Sequence, residues 1–408
     1  MKLLHTADWH LGQKFIYRER IEEHQAFLHW LLQVIQTQQI DILIVAGDIF
    51  DISSPPHYAR SMYYRFLSGL LKTNCRHILI TGGNHDSPSM LNAPKELLSA
   101  LNITVVGAVS DNPEDDILEL KKPSGEVEGV IAAIPFLRDR DIHFISAFES
   151  GEARLDQIKK GIIAHFEKMA DLVAKYQSQD IPVITTGHLY AKGGKASDNQ
   201  NNIYLGNMDN IDPALIPDIF DYVALGHLHK AQPMGKLRHI RYSGSPIPLS
   251  FPESKDKKTV TVVDFKGKKP TEIKLLEIPL WRHLGIIEGD LVSVQEQIGQ
   301  LTDQLLKDKA VLTAWIEVIV HTDHQIPGVE NLLYEFVENK AVEILKFKVL
   351  LNNQNEEKIK LSGELSELSP LDVFKKRCED MTDEDYQPVE QTYLELMTWM
   401  NENEDLEG

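Results

Sequence analysis

The sequence predicts a mixed α/β (α+β) fold, and three observations carry that reading. Short β-branched-rich runs alternate with helical patterns, as parallel-sheet proteins require. Five of these runs stop at a polar cluster. After about residue 270 the pattern restarts as a smaller strand-helix alternation.

The five runs are Lys2-Leu3-Leu4-His5-Thr6, Asp41-Ile42-Leu43-Ile44-Val45, His77-Ile78-Leu79-Ile80, Pro182-Val183-Ile184-Thr185 and Tyr222-Val223-Ala224-Leu225. The spacing predicts helices over 21–38 and 155–176 between them, and a further strand over 259–265. Lys266-Gly267-Lys268-Lys269-Pro270 reads as turn punctuation closing a first domain, 1–270. A small module over 280–355 follows, with strands at 282–287, 312–320 and 342–351 and helices at 292–306 and 329–339. Two last helical patterns, 371–378 and 388–400, fall in a third segment, 366–408, that ends in an acidic tail.

The clusters are Asp8-Trp9-His10, Gly47-Asp48, Gly83-Asn84-His85-Asp86, Gly187-His188 and Gly226-His227-Leu228-His229. In α/β sheets ligands gather outside the carboxyl ends of strands, so these five ends are expected to bring Asp8, His10, Asp48, Asn84, His188, His227 and His229 together. Carboxylate, amide and imidazole suit divalent manganese, iron or zinc and leave positions for water and a phosphate oxygen. The adjacent glycines fit a backbone that turns sharply beside a metal. On extended backbone Asp8 and His10 point the same way, as do His227 and His229. A single strand-end histidine is by default an ordinary packing or surface group; it is the joint placement that argues for a metal site. Histidines 5, 24, 29, 57, 77, 143, 165, 239, 283, 321 and 324 are assigned that ordinary role.

Composition narrows the setting. The only cysteines, Cys75 and Cys378, are far apart and lack metal or redox spacing, which points to a reducing compartment. With no signal-peptide pattern and no apolar run near membrane-spanning length, a cytoplasmic location and no membrane contact are expected. The net charge of −19 divides into −3 over residues 1–280 and −16 over 281–408. The metal-bearing part is therefore close to neutral and does not plainly supply the basic surface that tight DNA binding needs.

The cluster set Asp-x-His, Gly-Asp, Gly-Asn-His-Asp, Gly-His and Gly-His-x-His resembles that of the calcineurin-like metallophosphoesterases. Within that superfamily three stretches resemble the SbcD-type nuclease subunits, bacterial relatives of the Mre-type nucleases. They are Met1-Lys2-Leu3-Leu4-His5-Thr6-Ala7-Asp8-Trp9-His10-Leu11-Gly12, Ala46-Gly47-Asp48-Ile49-Phe50-Asp51, and Arg241-Tyr242-Ser243-Gly244-Ser245-Pro246-Ile247-Pro248-Leu249-Ser250-Phe251.

The resemblance implies a β-sandwich flanked by helices, a small α+β capping domain and a C-terminal helical arm that docks on a partner. It implies two divalent ions, manganese first, one held by Asp8, His10, Asp48 and His229 and the other by Asp48, Asn84, His188 and His227. His85 becomes the acid that protonates a leaving 3′ oxygen, with Asp86 either orienting it or serving as a turn carboxylate. The implied substrates are DNA duplex ends, hairpins and single strands. The implied partner is an SbcC-like ATPase with a coiled coil, joined with two nuclease subunits in a heterotetramer, and the implied roles are in DNA repair, recombination and replication. One departure stands out: archaeal and eukaryotic relatives carry a histidine where this chain has Asp51, and that family role is not carried over. The polar stretch 192–200 reads either as a DNA-backbone contact or as a surface loop. The metal set alone also fits a small-molecule phosphoesterase, against which the 130 or so residues after the first domain weigh. A non-catalytic scaffold fits poorly, since every ligand position is filled.

Overall fold

The computed structural model describes residues 1–142, 151–191, 194, 211–308, 311–324, 326–351, 389 and 392. The stretches 371–378 and 388–400 and the loop 192–200 lie outside the described residues, apart from Gly194, Val389 and Thr392.

The chain opens with β1 (Lys2–Thr6), α1 (Ile21–Thr37), β2 (Ile42–Ala46), α2 (His57–Leu70), β3 (His77–Thr81) and β4 (Ile103–Val106), whose four strands lie side by side and parallel. It then crosses to a second sheet through β5 (Ile117–Lys121), β6 (Val127–Ala132), α3 (Gly151–Val173), β7 (Val183–His188), β8 (Tyr222–Gly226), β9 (Gln232–Met234) and β10 (Leu237–Tyr242). That sheet runs in the order β9-β10-β8-β7-β6-β5. Finally β11 (Thr259–Lys266) and β12 (Lys269–Glu277) return to the first sheet as an antiparallel hairpin beside β1.

Side-chain alternation builds the layers. Leu3, Ile42, Ile44 and Leu79 meet Ile131, Ile184, Tyr222 and Ala224 between the sheets. Their neighbours Leu4, Leu43, Val45, Ile78 and Ile80 face outward, into a core shared with Phe27 and Leu31 of α1 and Phe66 and Leu70 of α2. On the other sheet Val130, Val183, Val223 and Leu225 pack with Phe166 and Met169 of α3. Strands buried on both faces read as unbroken apolar runs, which is why these were legible. The result is the expected sandwich flanked by helices.

The module beyond it holds β13 (Leu284–Gly289), α4 (Leu291–Lys307), β14 (Ala314–Thr322), α5 (Val329–Val337) and β15 (Val342–Leu351), with three parallel strands in the order β13-β14-β15. Asp290 starts α4 by accepting the Ser293 amide at 2.8 Å. Val294, Ile298 and Leu305 of α4 and Val329, Leu333 and Val337 of α5 recur at helical spacing and close the core over Ile316, Val318 and Ile344. Residues 1–351 form one compact unit.

Two details differ from the sequence reading. The 266–270 stretch does turn, at Gly267 with φ 66°, but as a hairpin leading into β12, whose mostly exposed, charged edge strand hides its own period. Asp8, His10 and His227 do not sit on extended backbone: their φ angles are 53°, 47° and 100°. Among the described residues no helix is long and apolar enough to cross a membrane.

Candidate metal centre

The carboxyl ends of β1, β2 and β3 in one sheet and of β7 and β8 in the other open on one rim, and every predicted ligand stands there. Asp8 and His10 follow β1, Asp48 follows β2, Asn84 follows β3, His188 ends β7, and His227 and His229 follow β8. Backbone bonds pin these turns to one another. The Asp8 amide donates to the Gly47 carbonyl and the His10 amide to the Asp48 carbonyl, both at 3.0 Å. The His227 amide donates to Asp8 Oδ1 at 2.8 Å, and the His85 amide to Asp48 Oδ1 at 2.9 Å.

The left-handed backbone explains the convergence. Trp9, between the two ligands, turns away into the core against Phe27 and Phe66, and its indole N–H donates to Thr6 at 2.9 Å. Asp8 and His10 then both face the rim, as left-handed residues of the kind that cost about 1–3 kcal/mol each and cluster at functional sites. Asp48, with φ 50°, adds a fourth strained ligand to Asp8, His10 and His227. At Gly47, with φ 86°, a Cβ would lie 2.1 Å from His188 Nδ1, and at Gly226 one would lie 1.8 Å from the Ala46 carbonyl oxygen. Only glycine lets these strand ends approach so closely.

Two groups have the geometry to hold a cation: Asp8, His10 and Asp48, and Asp48, His188 and His227. Asp48 is common to both. Its Oδ2 lies 3.7 Å from His10 Nε2 and 3.1 Å from His188 Nε2. Asn84 Oδ1 lies 3.0 Å from His188 Nε2 and 3.3 Å from His227 Nδ1. His229 stands edge-on to His10 with ring centroids 5.1 Å apart.

The donors fit divalent ions on two counts. Asp8 Oδ2 and His10 Nε2 are buried without a hydrogen-bond partner, a costly arrangement unless something else satisfies them. The protonation pattern also shows a demand for positive charge. Burial pushes the Asp8 carboxyl up, with Asp48 adding to it, whereas at Asp48 the neighbouring His188 and His10 overcome burial and hold the carboxyl low. Against burial, Asp51 and Asp48 lift the His10 imidazole to about 9, and Asp48 and Asp8 do the same for His188. His227 instead drops to about 3, through burial and the charge of His188.

The comparisons with known proteins agree with this geometry. Residues 1–231 match the calcineurin-like phosphoesterase family, and residues 281–382 match the type 5 capsule protein repressor C-terminal domain, also termed the SbcD C-terminal domain. The SbcD subunit of nuclease SbcCD from Escherichia coli K12 is 38% identical over 381 residues, covering 92% of each chain. The chain belongs to the SbcD family of metal-dependent nucleases. The SbcD relatives from Bacillus subtilis and Rhodobacter capsulatus are 28% and 33% identical, covering 94% and 68% of this chain and 93% and 72% of their own.

Set in this SbcD-type site, three further residues take on definite tasks. Asp51 Oδ1 stands 3.1 Å from His10 Nδ1, and the Asp51 carbonyl oxygen 2.7 Å from Nδ1 of the exposed His85. Asp86 does not orient His85. Its carboxylate accepts the amides of Gly83, Ile49 and Phe50 at 2.9–3.1 Å and ties the turns after β2 and β3 together. Glu253 Oε1 lies 3.1 Å from Nδ1 of His229, and only its closeness to the 241–251 motif hinted at it in the sequence.

Proposed function

We propose that the chain is the nuclease subunit of an SbcC-SbcD-like complex that hydrolyses DNA phosphodiesters at a two-metal centre. It digests duplex ends with its ATPase partner and cuts single strands and hairpins, in DNA repair and recombination. The observation that carries this reading is the meeting of seven metal-type donors, drawn from five strand ends, around Asp48.

On this reading Asp8, His10, Asp48 and His229 hold one ion, and Asp48, Asn84, His188 and His227 the other. The mixed imidazole, amide and carboxylate set favours manganese over magnesium, which prefers an all-oxygen shell. When bound, such ions supply Lewis-acid chemistry, lowering the pKa of water and neutralising charge on the phosphodiester. His85 moves the proton: with Nδ1 donating to the Asp51 carbonyl, Nε2 is left to protonate the leaving 3′ oxygen. Asp86 holds the loop that presents it.

The near-neutral charge of residues 1–280 supports a division of labour with a DNA-holding partner. That partner is an SbcC-like ATPase, gripped near the base of its coiled coil by residues 366–408, with two nuclease subunits in a cytoplasmic heterotetramer. The E. coli relative is named as one subunit of such a nuclease.

The test incubates the purified chain, with and without the ATPase, with labelled hairpin DNA and p-nitrophenyl esters in manganese or magnesium. Hairpin cleavage stronger in manganese and abolished by Asp48→Asn is expected. Ester hydrolysis without DNA cleavage, or equal rates in excess EDTA, sinks the reading.

A further inference from the structure

The 241–251 stretch carries family likeness, yet none of its side chains reaches the metal donors in the arrangement above. It wraps instead around a buried ion pair. Lys258 Nζ and Glu253 Oε2 lie 2.7 Å apart, with side chains only 7% and 3% exposed. The same ammonium donates to the His229 carbonyl oxygen at 3.1 Å and to Ser245 Oγ at 2.8 Å. The Ser245 amide also donates to the His229 carbonyl, at 3.1 Å, and the Leu249 amide to Glu253 Oε2, at 3.2 Å.

His229 is thus held at both ends, by its carbonyl and by its ring. We infer that Glu253, braced by Lys258, is the positioning residue that fixes the tautomer and ring orientation of His229 for metal binding. This rests on the ligand role proposed above for His229.

The chemistry follows from which nitrogen the carboxylate takes. A carboxylate can only accept, so Nδ1 carries the hydrogen and the lone pair is placed on Nε2. A carboxylate behind a metal-bound imidazole also raises its basicity, and losing such a partner typically costs about 10–100-fold in metal affinity. Lys258 supplies the charge that lets Glu253 remain ionised in a buried site. The loop that carries them is fixed on both sides. Gln13 Nε2 donates to the Leu249 carbonyl at 3.1 Å, and Phe251 is buried among Phe15, Leu284, Trp315 and Leu345. Residues of the three-stranded module therefore form part of the wall behind Glu253.

Two variants separate positioning from plain structural support. Glu253→Asp keeps the charge opposite Lys258 but withdraws the carboxylate by one methylene from His229. The pair Glu253→Gln with Lys258→Met removes both charges, so no ammonium is left buried alone. Manganese is titrated into each metal-free chain, with wild type and His229→Gln for reference, and the metal-free thermal midpoint is recorded in parallel.

Wild type should take up two ions. Both variants should hold one as wild type does and the second about 10–100-fold more weakly, the same ion that His229→Gln loses. Titration of both variants like wild type overturns the inference, as does a weakening that appears only where the metal-free fold has already melted. A wild type that binds fewer than two ions counts against the metal reading itself and is distinguishable from either result.

Discussion

Arg282 Nε donates to Glu23 Oε2 at 2.9 Å across 259 residues of sequence, tying the chain that enters the small module to the first turn of α1. The Arg20 guanidinium takes the other carboxylate oxygen, and Arg282 lies 3.8 Å over the Trp315 ring. One buried carboxylate therefore serves two guanidiniums.

Glu23→Gln leaves those cations without a counter-charge, and the usual cost of breaking such a buried set is about 3–5 kcal/mol. Burial raises the Glu23 carboxyl, but Arg20 and Arg282 outweigh it and hold it below its ordinary 4.5. A depressed carboxylate contributes stability that is whole above 4.5 and is lost as pH falls through the lower, folded-state value. Urea midpoints should show wild type losing stability on that acid limb, with the Gln variant weaker at pH 7 but flatter below 4.5. Parallel curves would refute the assignment.

Protons and metal ions compete at the rim. In the metal-free chain His10 and His188 stand at about 9, and ligation requires neutral imidazole. Manganese binding near neutral pH should therefore release about one to two protons, with affinity rising up to pH 9. The sign for stability is opposite. Both groups lie above their ordinary 6.5, so their contribution in the metal-free chain is whole below 6.5 and fades as pH rises through about 9. Calorimetry in two buffers of different ionisation enthalpy checks the release, and identical heats would contradict it.

How much of this was legible depended on where each residue stands. The strand ends could be read because β2, β7 and β8 are buried along their whole length and stop abruptly at glycine or histidine. The backbone that aims the ligands could not, since the left-handed φ of Asp8 and His10 arises from Trp9 packing into the core between them. Asp51 and Glu253 were missed as supports because a carboxylate behind a histidine is recognised by a 3.1 Å contact and has no sequence period. β12 was hidden by its exposed face.

His85 should separate chemistry from metal binding. It is exposed, and its Nδ1 lies 2.7 Å from a carbonyl oxygen, so it stands apart from the buried donors. His85→Gln is expected to retain both ions while the hydrolysis rate falls about 10²–10⁴-fold, the worth of a positioned acid. Elemental analysis of the variant decides between this and a ligand role, which loss of metal would indicate.

Asp51 makes the sharpest division, because its side chain and its backbone serve different histidines. The carboxylate meets His10 Nδ1 at 3.1 Å, while the carbonyl meets His85 Nδ1 at 2.7 Å. The Asp51 amide donates to the Leu11 carbonyl at 3.2 Å, so the backbone stays anchored whatever side chain it bears. Asp51→Asn should then leave His85 in place and remove only the charge behind His10. Metal affinity should fall by about 10-fold or more, the usual effect of losing a carboxylate behind a metal-bound imidazole. The single-turnover rate at saturating manganese should stay close to wild type, because the proton donor is undisturbed. A rate loss that saturating metal does not restore would mean that the Asp51 side chain itself acts on the substrate, and unchanged affinity would mean that it does not orient His10.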